Sequence, residues 1–111
     1  MEIVEQRQGA VAVLKPVGPL CLDDAEDFRA RLREAVQKHL GRIVLDASAV
    51  AYVDSRGLEA LYELADSLGQ SGQALKMCYA NDTLREALDL TNLLPMFDLY
   101  ENLNGAVRSF L

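Results

Sequence analysis

The sequence predicts an α/β fold: a mixed, mostly parallel sheet of about five strands with four helices, in the order β-β-α-β-α-β-α-β-α. Three observations predict it. Short apolar runs alternate with segments whose apolar residues recur at helical spacing. The first two runs are separated by Gln8-Gly9, where glycine permits a hairpin turn. Half of the 111 residues are hydrophobic, so a core forms without staples, and the length suits one domain spanning residues 1–111.

The expected strands are Glu2–Arg7, Ala10–Lys15, Arg42–Asp46, Ala74–Tyr79 and Phe97–Tyr100. Ile43-Val44-Leu45 is a continuous apolar run, as in a strand covered on both faces. The first helix carries Ala25, Phe28, Leu32, Ala35, Val36 and Leu40 on one stripe; Asp23-Asp24 is placed to cap it and Gly41 to end it. The second runs from about Arg56 to Leu68, with Leu58, Leu61, Tyr62, Ala65 and Leu68 as its apolar face. The third spans about Thr83 to Leu90, where Thr83 and Glu86 have capping-box spacing and Asn81 or Asp82 are alternative caps. The fourth spans about Leu103 to Phe110, with Leu103, Ala106, Val107 and Phe110 on one face. In such a fold the functional groups gather at the carboxyl ends of the strands.

Composition narrows the function. A net charge of −6 repels a phosphate backbone, so no nucleic-acid partner is expected, and a protein with a basic face suits better. Cys21 and Cys78 are two isolated cysteines, which make neither a disulfide framework nor a zinc site and fit a reducing cytoplasm. The first residues carry acids where a signal peptide carries positive charge, and no apolar run approaches ~18 residues, so neither export nor membrane insertion is expected.

The segment Asp46 to Leu58 leaves the third strand and enters the second helix. Asp54 and Ser55 both favour the N-cap position, and whichever does not cap faces outward. A helix N-terminus tolerates an anion, so a phosphate on Ser55 would add about −1.5 to −2 charges to one corner with little cost to the fold. A docked partner would be repelled.

This segment resembles the signature of the STAS family, roughly D-L-S-x-V-x-x-I-D-S-S-G-L. Asp46, Ser48, Val50, Asp54, Ser55, Gly57 and Leu58 stand at matching places. Gly18-Pro19-Leu20 resembles the family's glycine-any-leucine turn, Gly72 to Tyr79 its fourth strand, and Leu93 and Phe97 its late leucine and phenylalanine. The resemblance runs end to end. It implies a bacterial anti-sigma factor antagonist that binds an anti-sigma factor serine kinase, with Ser55 as the phosphoacceptor and a phosphatase as a second partner. Two departures stand out. Cys21 occupies the place of a frequent family aspartate, for which Asp23 or Asp24 would have to substitute. Arg56 replaces a second serine or threonine; it would either pair with a phosphate on Ser55 or mark a protein that is never phosphorylated. The resemblance therefore leaves an alternative: a constitutive STAS accessory subunit of a phospholipid-trafficking ABC transporter, or a stressosome-type scaffold. Both readings share one partner surface, formed by Asp54, Ser55, Arg56, Gly57, Leu58, Glu59 and Glu63 with Asp23 and Asp24.

Other chemistries fit poorly. Val53-Asp54-Ser55-Arg56-Gly57 lacks the first glycine of a hydrolase nucleophile elbow, and the lone histidine, His39, precedes the serine, so no enzyme is expected. His39 reads as a helix C-terminal residue before Gly41, where a cation is favoured. The acids Asp23, Asp24, Glu26 and Asp27 lack histidine or cysteine at ligand spacing and read as a solvated helix start; neither metal nor cofactor is expected. Cys78 reads as inert core, and Leu93 to Phe97 as a loop packed over the sheet.

Overall fold

Side-chain alternation along each strand decides which layer each residue joins. The computed structural model describes residues 1–111. Strands β1 (Glu2–Gln8) and β2 (Val11–Val17) pair antiparallel, and β3 (Ile43–Asp46), β4 (Leu75–Cys78) and β5 (Phe97–Tyr100) add in parallel, in the spatial order β1-β2-β3-β4-β5. The hairpin turns at Gly9, which takes φ +63. Helices α1 (Leu22–Lys38), α2 (Ser55–Gly69) and α3 (Asp82–Leu90) are the crossovers, and α4 (Leu103–Arg108) follows β5.

Ala12, Leu14, Ile43, Leu45, Leu75 and Met77 point to one side. There they meet Phe28 and Leu32 of α1, Leu61 of α2, and Leu84 and Leu88 of α3 in one buried cluster. The alternate residues Val11, Val13, Val44 and Cys78 point to the other side, under Ala106 of α4, with Leu103, Val107 and Phe110 packed around them. Lys76 holds α4 in place. Its ammonium is 2.8 Å from Ser109 Oγ and 4.6 Å from the centre of the Phe110 ring. Cys78 lies wholly inside, and burial, helped by nearby Asp46, pushes its thiol up to about 11.

Four local expectations are corrected. Asp23 and Asp24 do not cap α1; they lie inside its first turn, and the cap position is Cys21, whose side chain makes no capping bond. In α2 the buried stripe is Gly57, Ala60, Leu61, Leu64, Ala65 and Leu68, while Tyr62 is 44% exposed. The stripe follows the leucines at 61, 64 and 68, and their spacing turns Tyr62 outward. Thr83 and Glu86 form no capping box, because Asn81 Oδ1 accepts from the Leu84 N–H at 2.8 Å. His39 does close α1, yet it is buried and its Nε2 has no hydrogen-bond partner; the ring serves packing rather than facing solvent. The segment before β5 packs as expected: Leu94–Met96 forms a single 3-10 turn, Phe97 is buried, and Leu93, Leu94 and Met96 rest on the core.

Phe28 has no exposed surface and sits between α1 and the sheet. Phe28→Ala is expected to cost about 3–5 kcal/mol, read as a lowered urea midpoint with little change in slope.

Candidate functional site

Three loops meet at the carboxyl end of the sheet, after β2, β3 and β4. The loop from β3 to α2 lies between the other two and is tied to both. On one side, the Gly18 N–H donates to the Ala49 carbonyl at 3.1 Å and the Leu20 N–H to the Tyr52 carbonyl at 3.1 Å. The Asp54 N–H returns a bond to the Leu20 carbonyl at 3.1 Å, and Leu20 pairs with Val53 as a parallel bridge that prolongs the sheet. On the other side, Asn81 Nδ2 donates to the carbonyls of Val50 at 3.2 Å and Ala51 at 3.1 Å. Beneath, Asp46 accepts from the Ser48 N–H at 2.9 Å, and Val50 plugs the core.

Asp54 resolves the capping ambiguity. Its Oδ1 accepts the Gly57 N–H at 2.9 Å and caps α2; its Oδ2 accepts the Leu22 N–H at 2.9 Å and anchors the start of α1. The Gly57 bond, then the Leu22 bond, holds this carboxyl below the usual aspartate range. Ser55 is thereby released from capping. It is the first residue of α2, it is exposed, and its hydroxyl takes no part in the cap.

Gly57 explains its own residue type. A Cβ there would strike the Leu20 carbonyl oxygen, which is backbone and cannot move aside cheaply.

The other residues expected at the surface divide. Arg56 and Glu59 are exposed. Gly57 is buried and has no side chain to present, and Leu58 is half-buried with part of its side chain on the core. Glu63 is not free either. It is half-buried and bonded to Arg29 of α1 at 2.7 Å, with Arg33 at 3.7 Å. Glu63 lies outside the expected stripe of Leu58, Leu61, Tyr62, Ala65 and Leu68, but its side of the helix lies against the basic flank of α1. Arg29 also pairs with Glu26, and Glu26 and then Glu63 hold its guanidinium firmly charged. Asp23 is fully exposed, 3.9 Å from Arg56, and Asp24 is 3.5 Å from the Met1 amine. Asp23, Glu26, Arg29, Arg56, Glu59 and Glu63 line a groove of about 320 Å³ between the N-terminal halves of α1 and α2. Its carboxylates and guanidiniums largely satisfy one another. Cys21 is free and partly buried behind Leu22.

Two residues of this site escaped the sequence reading. Asn81 was recognised only as a candidate cap, and its second role on the Val50–Ala51 carbonyls depends on a contact 30 residues away. Leu22 carried no signal except its place beside the glycine-any-leucine turn.

The sequence matches the STAS domain family over residues 2–106. The chain belongs to this family. It is 32% identical over 111 residues to a Mycobacterium tuberculosis protein described as a sulfate transporter, covering 95% of this chain and 20% of that protein. The chain thus spans about a fifth of the length of the transporters it matches. It is 29% identical over 87 residues to BtrV of Bordetella bronchiseptica, described as an anti-sigma factor antagonist, covering 78% of this chain and 75% of that one. A Thermotoga maritima crystal structure described as an anti-sigma factor antagonist superposes with a TM-score of 0.86 at 23% identity, over 96% of this chain and 92% of that chain. No helix of the STAS domain is long and apolar enough to cross a membrane.

Two outcomes follow from the geometry. Gly57→Ala is expected to lose about 1–3 kcal/mol in chemical denaturation, because the methyl group overpacks a backbone contact. Asp54 has a depressed pKa in the folded state, so its contribution is present above the unfolded aspartate pKa of about 3.9 and is lost as pH falls below it. Melting temperatures of wild type and Asp54→Asn, followed from pH 7 to pH 2, are expected to differ at neutral pH and to converge in acid.

Proposed function

We propose that this STAS protein is an anti-sigma factor antagonist of the bacterial cytoplasm that acts by binding rather than by catalysis. In this reading the start of α2 docks on an anti-sigma factor serine kinase. The kinase transfers the γ-phosphoryl of ATP to the Ser55 oxygen, ADP leaves, and the modified protein dissociates until a phosphatase restores it. One observation carries the reading: Asp54 caps α2, so the neighbouring serine hydroxyl stands exposed and unengaged at a helix N-terminus. A phosphate there meets favourable N–H dipoles within the chain but adds charge to the docked surface. The relative BtrV, matched over three quarters of its length, supports the same role. The two free cysteines fit a reducing compartment. Against hydrolysis, His39 closes α1 at the amino end of the sheet, far along the fold from Ser55.

A second reading is favoured by two observations. Identity is 32% to a protein described as a sulfate transporter, and Arg56 stands beside Ser55 where the family carries a second serine or threonine. Here the domain is a constitutive, unphosphorylated subunit of a larger assembly, such as a phospholipid-trafficking ABC transporter or a stressosome-type scaffold, and Ser55 is a contact residue.

Intact-mass analysis after incubation with an anti-sigma factor kinase from the same cells and ATP separates the two. The first reading expects one phosphate on wild type and none on Ser55→Ala. An unmodified wild-type protein that still binds a transporter ATPase supports the second. Ser55→Asp is expected to weaken kinase binding at least tenfold, about 1.4 kcal/mol by calorimetric titration, while melting changes little.

A further inference from the structure

Strand β1 is an open edge of the sheet. It pairs on one side only, with β2, runs seven residues from Glu2 to Gln8, and contains neither proline nor glycine. Long edges are usually blunted, because their free N–H and C=O groups invite a further strand. The opposite edge, β5, has four residues. In β1, Ile3 stands opposite Pro16, which has no N–H. The ladder bonds therefore fall on the even-numbered residues, and the backbone groups of Ile3, Glu5 and Arg7 point outward. Arg31 of α1 marks the same direction, reaching the Ile3 carbonyl at 3.5 Å and the Met1 carbonyl at 3.3 Å. Helix α1 runs beside this edge in the direction of β1. Asp27 lies by Met1, Arg31 by Ile3, and Glu34 and Lys38 share a cleft with Glu5. Asp27, Arg31, Glu34 and Lys38 are spaced i, i+4, i+7 and i+11, which puts them on one flank of the helix. Arg31, Glu34 and Lys38 are exposed and enter none of the ion pairs of the chain.

Along this flank the charges read acid, base, acid, base, an order that is complementary to itself when the helix is reversed. A two-fold axis between residues 32 and 33 sets Arg31 opposite Glu34 of a second copy, and Asp27 opposite Lys38, each pair twice. The same level on β1 is Val4, between Ile3 beside Arg31 and Glu5 beside Glu34 and Lys38. We propose that β1 is a self-association edge: two copies of this chain join β1 to β1 antiparallel about Val4, with their α1 flanks paired alongside. Ile3 and Glu5 then exchange backbone hydrogen bonds with Glu5 and Ile3 of the second copy. The long contact from Arg31 to the Ile3 carbonyl gives way to Glu34 of the second copy. On the other face of the sheet Val4, 38% exposed, meets its own copy, and Val17, diagonal to it and 40% exposed, extends the apolar stripe. The charges and the valines thus select one register. Centring the pair on Glu5 instead would set two carboxylates opposite each other and carry the helix charges out of match. β1 is two strands away from β3, whose loop presents Ser55, so the pairing leaves that corner open on both copies. The inference does not rest on the proposed function.

Analytical ultracentrifugation of the full chain is expected to show a dimer that dissociates on dilution with a Kd of about 1–100 μM, as suits a small and partly polar interface. Arg31→Glu and Glu34→Arg each set like charges across the axis and are expected to raise that Kd at least tenfold. An equimolar mixture of these two variants is expected to recover wild-type affinity as a mixed dimer, and the double exchange to recover it alone. Damage to the fold by either substitution would give no such recovery. The register is read by cross-linking in a Cys21→Ser background with diamide as the oxidant. Val4→Cys is expected to form a disulfide between copies, because residue 4 meets itself at the axis. Gln6→Cys is expected to form none, since its two copies lie about 13 Å apart in this register. A chain that stays monomeric throughout the concentration range overturns the proposal. So does weakening without recovery in the mixture, or a disulfide at residue 6 in place of residue 4.

Discussion

The architecture of the site depends on one carboxylate. Asp54 accepts the first free N–H of α1 and a first-turn N–H of α2, both at 2.9 Å. Two helix starts, each with positive dipole character, therefore share one anion. Without it, the Leu22 N–H has no other partner and Cys21 offers α1 no cap. The same carboxylate decides what its neighbour does. A serine at a helix start ordinarily turns inward to cap. Here the work is already done, and the Ser55 hydroxyl remains free. Structural duty and display are divided between adjacent residues.

The loop that carries this pair is held like a strand rather than a flexible connection. Leu20 and Val53 bridge in parallel, continuing the pairing of β2 with β3 beyond the formal strand ends. Gly57 then lets α2 approach so closely that its backbone lies against the Leu20 carbonyl. Asn81 fixes the far edge while its other amide atom caps α3. The three crossover helices are in this way referenced to one loop, and that loop presents Ser55. A surface built so rigidly loses little conformational entropy when it docks.

Much of this was legible in the sequence, because the strands alternate strictly. Ile43 and Leu45 face one layer and Val44 the other, and Leu75 and Met77 divide from Cys78 in the same way. The segment from Asp46 to Leu58 also announced itself, since its residue types satisfy a strand end, a cap and a close helix approach together. What could not be read were pairings between distant residues. Asp54 and Ser55 were equal candidates until the Leu22 N–H, 32 residues away, committed the aspartate. Glu63 was assigned to solvent by helical spacing, but Arg29, 34 residues earlier, claims it. Tyr62 and Leu64 exchanged places because a stripe with apolar residues at 58, 61, 62, 64, 65 and 68 supports two adjacent faces. Only the position of α1 chooses between them.

Those hidden pairings change how charge acts at the surface. The groove between α1 and α2 holds four carboxylates, of which Glu26, Glu63 and Asp23 each have a guanidinium partner within the chain and Glu59 has none. Most local charge is thus already balanced, and Arg29, which bridges the helices, is the most firmly committed of the cations. Arg56 is different: its one contact is 3.9 Å long, and both partners are open to solvent, where such a pair contributes little. Arg56 is therefore the cation in the groove most readily redirected. New negative charge on the adjacent serine would compete with Asp23 for that guanidinium without disturbing Arg29, Glu63 or the core beneath them. In such an arrangement the response to modification stays at the outer turn of α2, and a bound partner experiences it more strongly than the fold does.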